Sequence, residues 1–255
     1  MKNMPLDSFL KRLDNELLNH SVITDNKYCN WFKQAELSPV DVLYFTQQFS
    51  VFSNQFIIAQ LNKVINAVDL EEARAGKEVL ANELGVAFKD GSVEGGTYKF
   101  YHAHFEWLVK FAKHLGLSFN DIGKRKHGSP ATLFYCDELI RIYGNEEFNV
   151  SAGASFAVEN WAAAGFWKQL IQGLTNFSEK IDERLPLAFF VWHDKIEEQH
   201  ASHTWHELKE LYFSGEHFDE DTFIMSGYTM LDGVKAFWDG LDLERIAQNF
   251  ERQGR

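Results

Sequence analysis

Apolar side chains recur along this chain at intervals of three and four residues, the period of a helix with one buried face. Near the start, Leu6, Phe9, Leu10, Leu13 and Leu17 fall on one stripe. Further on, Phe45, Phe49, Phe52 and Phe56 repeat at the same spacing inside a long apolar segment, and this stripe reads as core packing. The periodicity predicts helices near residues 5–19, 27–36, 39–67, 69–84, 97–115, 129–143, 150–174, 186–214 and 219–250. Ser38-Pro39 and Ser129-Pro130 have the form of an N-cap followed by a proline in the first turn, and Asp69 and Thr97 are further N-cap candidates. Pro186 precedes the apolar run Leu187–Trp192. Gly116, Gly144 and Gly215 are placed to end helices. There is no sustained alternation of period two and no Asn-Gly hairpin turn, and the glycine-rich stretch Lys89–Thr97 reads as a loop between two helices. The pattern therefore specifies an all-α protein. No shift in composition and no internal repeat divides residues 1–255, so one helical domain is expected.

Composition narrows the function classes. Hydrophobic residues make up 45% of the chain, with 23 Phe and 7 Trp, enough for a large aromatic core. The net charge of −12 disfavours nucleic acid and anionic membrane surfaces as partners, because both need a basic face. The one short basic run, Lys124-Arg125-Lys126-His127, reads as a solvated loop. Two cysteines, Cys29 and Cys136, supply neither a disulfide framework nor a C-x-x-C metal motif and fit a reducing, cytoplasmic setting. The first 20 residues lack the apolar core of a signal peptide, and no stretch approaches the roughly 20 apolar residues that span a bilayer.

The sharpest chemical signal is His193-x3-Glu197-x2-His200. At about 100° per residue, Glu197 lies about 40° from His193 around a helix and His200 about 20° away on the other side. The preceding apolar run Leu187–Trp192 implies that this face is buried, and buried imidazole and carboxylate groups on one stripe need a shared partner. A metal dication satisfies several of them together. His203 and His206 rotate away from that face and read as outer or surface residues. A second signal is Glu159, the only charged residue between Phe148 and Trp167, in a helix rich in Ala, Gly and Ser that lets neighbours approach closely. Its carboxylate needs either a buried ion pair or a cation in the bundle. A third signal is Glu83, in Asn82-Glu83-Leu84-Gly85, with His104, in His102-Ala103-His104-Phe105-Glu106, on neighbouring helices. Three carboxylates and three imidazoles form a mixed oxygen and nitrogen donor set suited to non-haem iron or manganese.

These pieces resemble the haem-oxygenase-like diiron oxidases and oxygenases, whose fold is shared by the Chlamydia protein associating with death domains (CADD) and by TenA/PqqC-like proteins. Asn82-Glu83-Leu-Gly85 is similar to an N-E-x-G element of that group. The segment from His104 to Gly116 is similar to its H-x-E-L-x3-F-x3-L-G helix. Ser155-Phe-Ala-Val-Glu159 stands where its central glutamate does, and His193, Glu197 and His200 match its H-x3-[DE]-x2-H helix. Ala236-Phe-Trp-Asp-Gly-Leu-Asp242 is also similar. The resemblance implies a seven-helix, haem-oxygenase-like bundle with metal ligands Glu83, His104, Glu159, His193, Glu197 and His200. In this picture Glu159 bridges two Fe(II) ions that react with O2, and Glu197 shifts as the metal oxidises. It implies an oxidase or oxygenase of a small molecule derived from an amino acid or fatty acid, acting by C–C cleavage or N-oxygenation. Manganese in place of iron and a homodimer are both compatible with it. Two departures stand out. The gap between Glu83 and His104 is long, leaving Glu78 as a competitor for Glu83 and His102 for His104, and Glu197 stands where many relatives carry Asp.

Two other readings remain. A metal-free, TenA-like hydrolase of thiamin-related amines would use a cysteine nucleophile, for which Cys136 is available, although a small buried residue is the commoner fate of Cys. A non-catalytic helical protein that binds iron or a partner is the third, since ligand identity shows capacity for metal and not turnover.

Overall fold

The computed structural model describes residues 5–89, 92–214 and 218–253, and among them the side chains of all but 87–96, 197–203, 214 and 249–253. Helices account for most of these residues. In chain order they are α1 (Leu6–Leu13, running into a π-helical turn at Asp14–Leu18), α2 (Ser21–Thr24), α3 (Lys27–Gln34), α4 (Pro39–Ile65), α5 (Leu70–Glu83) and α6 (His104–His114). Then come α7 (Pro130–Glu138, with a second π-helical turn at Leu139–Tyr143), α8 (Phe148–Ala162), α9 (Phe166–Lys180), α10 (Ala188–Ser214) and α11 (Glu220–Gln253).

Local sequence explains most helix starts. The Ser38 hydroxyl accepts from the Asp41 N–H while Asp41 accepts from the Ser38 N–H, a reciprocal capping box with Pro39 in the first turn. Ser129 and Asp69 cap α7 and α5 one way, their side chains accepting from the N–H groups of Thr132 and Glu72. Gly116 follows α6 with φ +79, the left-handed geometry that ends helices.

Three expectations need correction. The stretch expected as a loop at Lys89–Thr97 is mostly an antiparallel hairpin, β1 (Val86–Lys89) with β2 (Ser92–Tyr98), paired Val86 to Tyr98 and Ala87 to Thr97. Its register shifts between Ala87 and Lys89, so the side-chain alternation that would have announced a strand is interrupted. Because β2 occupies the residues assigned to the start of a helix at 97, Thr97 caps nothing and α6 begins at His104. The expected single helix 150–174 is two, α8 and α9. It breaks at Ala163-Ala164-Gly165, where Gly165 adopts φ +96, outside the helical region. The short α2 was also unforeseen. Gly215 lies outside the described residues.

One apolar core runs from Phe9 in α1 to Leu241 in α11. Phe49, fully buried, is its hub: its ring lies within 6.5 Å of those of Phe45, Phe52, Trp167, Phe189, Phe190, Phe237 and Trp238. The small residues of α8 serve close packing. A Cβ built on Gly153 would stand 2.1 Å from the Phe223 carbonyl oxygen of α11, so only glycine allows these two helices to approach as they do. No described helix is long and apolar enough to cross a membrane.

Candidate metal centre

The hairpin positions the first half of the site. α5 ends at Glu83, and Gly85 follows with φ +96. A Cβ there would lie 2.7 Å from the Lys99 carbonyl oxygen and 2.8 Å from the Ala103 nitrogen. Gly85 thus lets the chain leave α5 and return through β2 directly against it, and the Lys99 N–H donates to the Gly85 carbonyl at 2.9 Å. The return delivers His104, the first residue of α6 and 2% exposed, to the end of α5. His104 Nδ1 donates a 2.9 Å hydrogen bond to Glu83 Oε1.

α10 brings the second imidazole. His193 is buried, its Nδ1 donates at 2.7 Å to the Phe189 carbonyl one turn earlier, and its Nε2 stands 3.9 Å from Glu83 Oε1. The backbone carbonyl fixes the tautomer and aims Nε2 at the cluster. Aromatic rings hold both imidazoles: Trp167 stacks on His193 (centroids 4.9 Å, 21°) and Trp107 on His104 (5.2 Å, 21°). Among the described residues, Glu83, His104 and His193 form the one group of three such side chains whose ligand atoms all lie within 4.8 Å of one another. Burial by itself raises the affinity of the Glu83 carboxyl for its proton. The hydrogen bond from His104 and the nearby His193 imidazole outweigh it and bring the pKa down from 4.5 to about 2, so the group is a carboxylate at neutral pH.

The donors fit a divalent metal. One carboxylate and two imidazoles suit iron, manganese or zinc. The proton between His104 Nδ1 and Glu83 Oε1 lies where a cation of higher charge would satisfy both atoms.

Glu159 lines the same two cavities as Glu83. One is an aromatic hollow of about 80 Å³, walled by Phe49, Phe52, Tyr135, Trp161, Trp167 and Phe189 and reaching Glu83, Glu159 and His193. The other opens outward past Glu78, so Glu78 stands in the approach and Glu83 in the cluster; His102 sits in the turn before α6 and outside the cluster. The side chains of Glu197, His200 and His203 lie outside the described residues. His206 is exposed and faces Glu210 at 3.3 Å. Cys136 is fully buried and lines none of these cavities, and burial pushes its thiol up to about 12, far from a nucleophile at neutral pH.

Sequence reasoning missed the two tryptophans that clamp the imidazoles. Trp107 carried a signal, three residues after His104 and so on the same helix face. Trp167 carried none, because it comes from another helix.

No family model matches the chain, and no curated protein matches it. Solved structures do. A domain of unknown function with a haem-oxygenase-like fold from Shewanella denitrificans OS217 superposes with a TM-score of 0.67 at 15% identity, over 98% of this chain and 96% of that one. A CADD-like protein of unknown function from Nostoc punctiforme PCC 73102 gives 0.66 at 20% identity, over 95% and 99%. A TenA homologue from Pseudomonas syringae pv. tomato DC3000 gives 0.65 at 11%, over 95% and 98%. The chain therefore has the haem-oxygenase-like helical fold, an architecture it shares with CADD-like and TenA-like proteins.

Proposed function

We propose that this chain is a non-haem diiron enzyme that activates O2 to oxidise a small organic molecule. The observation that carries the proposal is the Glu83–His104–His193 cluster at the edge of an aromatic cavity that Glu159 also lines. His104 and Glu83 would hold one iron and His193 the other, with Glu159 bridging. Glu197 and His200, in phase with His193 along the sequence, would join it. Iron held by these residues would supply the electrons for O2 reduction and so the oxidising power needed to break a C–H or N–H bond.

The protein's own part is positioning. The Phe189 carbonyl keeps the proton of His193 on Nδ1, away from the centre. Glu83, already ionised, needs no deprotonation to become a ligand. The rings of Phe49, Phe52, Trp161, Trp167 and Phe189 line the cavity with apolar surface and keep water from the reacting atoms. The substrate would lie in that cavity, its oxidisable bond toward Glu83 and Glu159.

The test is iron content after anaerobic loading with Fe(II) and desalting, in the native chain and in Glu159→Ala. About two irons per chain, falling sharply in the variant, is expected. Retention of no iron by the native chain would remove the diiron reading. Substrate-dependent O2 consumption then separates an enzyme from an iron binder.

A further inference from the structure

Outside the candidate centre the approach widens into a vestibule. Two hollows of about 340 and 320 Å³ adjoin there and share Lys63, Glu72, Ala75, Ser155, Thr204 and Glu207. The inner one also shares Val79, Glu83, Glu159 and Ile196 with the aromatic cavity, so the approach and the cavity adjoin at the cluster. Among the described residues, Lys63 of α4 is the only Lys or Arg on the vestibule walls.

Its surroundings are unusual for a half-buried ammonium. Lys63 Nζ donates to Ser155 Oγ at 2.7 Å and lies 5.3 Å from the centroid of the Tyr143 ring, and it forms no ion pair with a described carboxylate. An ammonium has three donors, and here one hydroxyl uses one of them. Ser155 precedes Glu159 by four residues on α8, so the two project from one face about 6 Å apart along the axis. The ammonium is therefore fixed about one helical turn from the carboxylate at the centre. The Ser155 hydroxyl and the Tyr143 ring hold it there, and the remaining donors point to an acceptor from outside.

We propose that Lys63 is the residue that anchors the carboxylate of the substrate, whose apolar remainder passes Glu159 into the aromatic cavity. Glu72, Glu78 and Glu207 line the same approach, so among the described residues the ammonium is its one fixed positive charge and the point to which an anion is drawn. The location of the reacting bond rests on the function proposed above; the anchoring of the anion does not require a metal.

The experiment compares three probes of one skeleton, 3-phenylpropanoate, 3-phenylpropan-1-ol and 3-phenylpropylamine, by calorimetric titration of the full chain, metal-free and loaded with Zn(II). The carboxylate is expected to bind about tenfold more tightly than the alcohol, the effect of about 1.4 kcal/mol from a charge-assisted hydrogen bond. Lys63→Met should abolish that preference with unchanged metal content, and Lys63→Arg should keep part of it. Equal binding of acid and alcohol, tightest binding of the amine, no carboxylate binding up to the solubility limit, or a preference that survives in Lys63→Met would each overturn the proposal. The two readings fail separately: a carboxylate preference in a chain that retains no iron leaves the anchor standing without the diiron site, and iron retention without the preference does the reverse.

Discussion

Glu83 and His104 meet across a 2.9 Å hydrogen bond although they lie 21 positions apart in the chain, and the pairing of β1 with β2 returns the chain between them. The pair is the point at which the fold and the proposed chemistry join. Glu83 ends α5 and His104 begins α6.

The first prediction follows from the charge of Glu83. Burial raises its pKa, while His104 and His193 lower it further, for a net fall from 4.5 to about 2. A depressed carboxyl pKa contributes stability that is fully present above 4.5 and is lost as the pH falls toward 2. Metal-free Glu83→Gln lacks this contribution. Urea unfolding measured across that window should show a shallower acid decline in the variant than in the native chain. Parallel declines would mean that the two imidazoles do not hold the carboxylate as the geometry indicates. The same variant should retain much less Fe(II).

Trp167 stacks on His193 and fixes its ring. Outer partners of metal ligands are typically worth about 10–100-fold in affinity. Trp167→Leu should weaken metal binding by about tenfold, whereas Trp167→Phe, which preserves a flat face, should lose less. Competition with a chromophoric chelator reads both, and equal affinities for Leu and Phe would count against a role for the stack.

Gly153 has no room for a side chain beneath the Phe223 carbonyl. Gly153→Ala gains helix propensity worth about 1 kcal/mol, yet forcing α8 and α11 apart costs about 1–3 kcal/mol. Net destabilisation is expected, with a lowered thermal midpoint. A midpoint at or above that of the native chain would show that the helices can separate without loss.

Cys136 should be unreactive. Its thiol is fully buried and raised to about 12, so it stays protonated through neutral and mildly alkaline pH. Native protein should not titrate with a disulfide thiol reagent at pH 8, urea-unfolded protein should show both cysteines, and Cys136→Ala should leave iron content unchanged. Rapid labelling of Cys136 in the native chain would reinstate the metal-free hydrolase reading.

Much of the architecture is legible in the sequence because helical signals are local. The period of Phe45, Phe49 and Phe52, the Ser38-Pro39 and Ser129-Pro130 caps and the start of α5 at Asp69 depend on residues within a turn of one another. Helical phase likewise puts His193, Glu197 and His200 on one stripe before any tertiary contact is known. The break between α8 and α9 escaped because Ala163-Ala164-Gly165 suits a helix as well as its end, and only the left-handed φ of Gly165 distinguishes the two. The hairpin escaped because a shifted register and glycines erase the alternation that marks a strand.

Residue types and spacing determined that the chain is helical, that its core is aromatic, and that His193, Glu197 and His200 recur in phase along one helix. Tertiary structure alone decided that Glu83 rather than Glu78 reaches His104, that Trp167 clamps His193, and that Lys63 rests on Ser155 one turn from Glu159. The reason is physical: capping and periodicity are short-range preferences of the backbone, whereas a cluster built from α5, α6 and α10 exists only after the packing of the whole core has set distances that no local rule encodes.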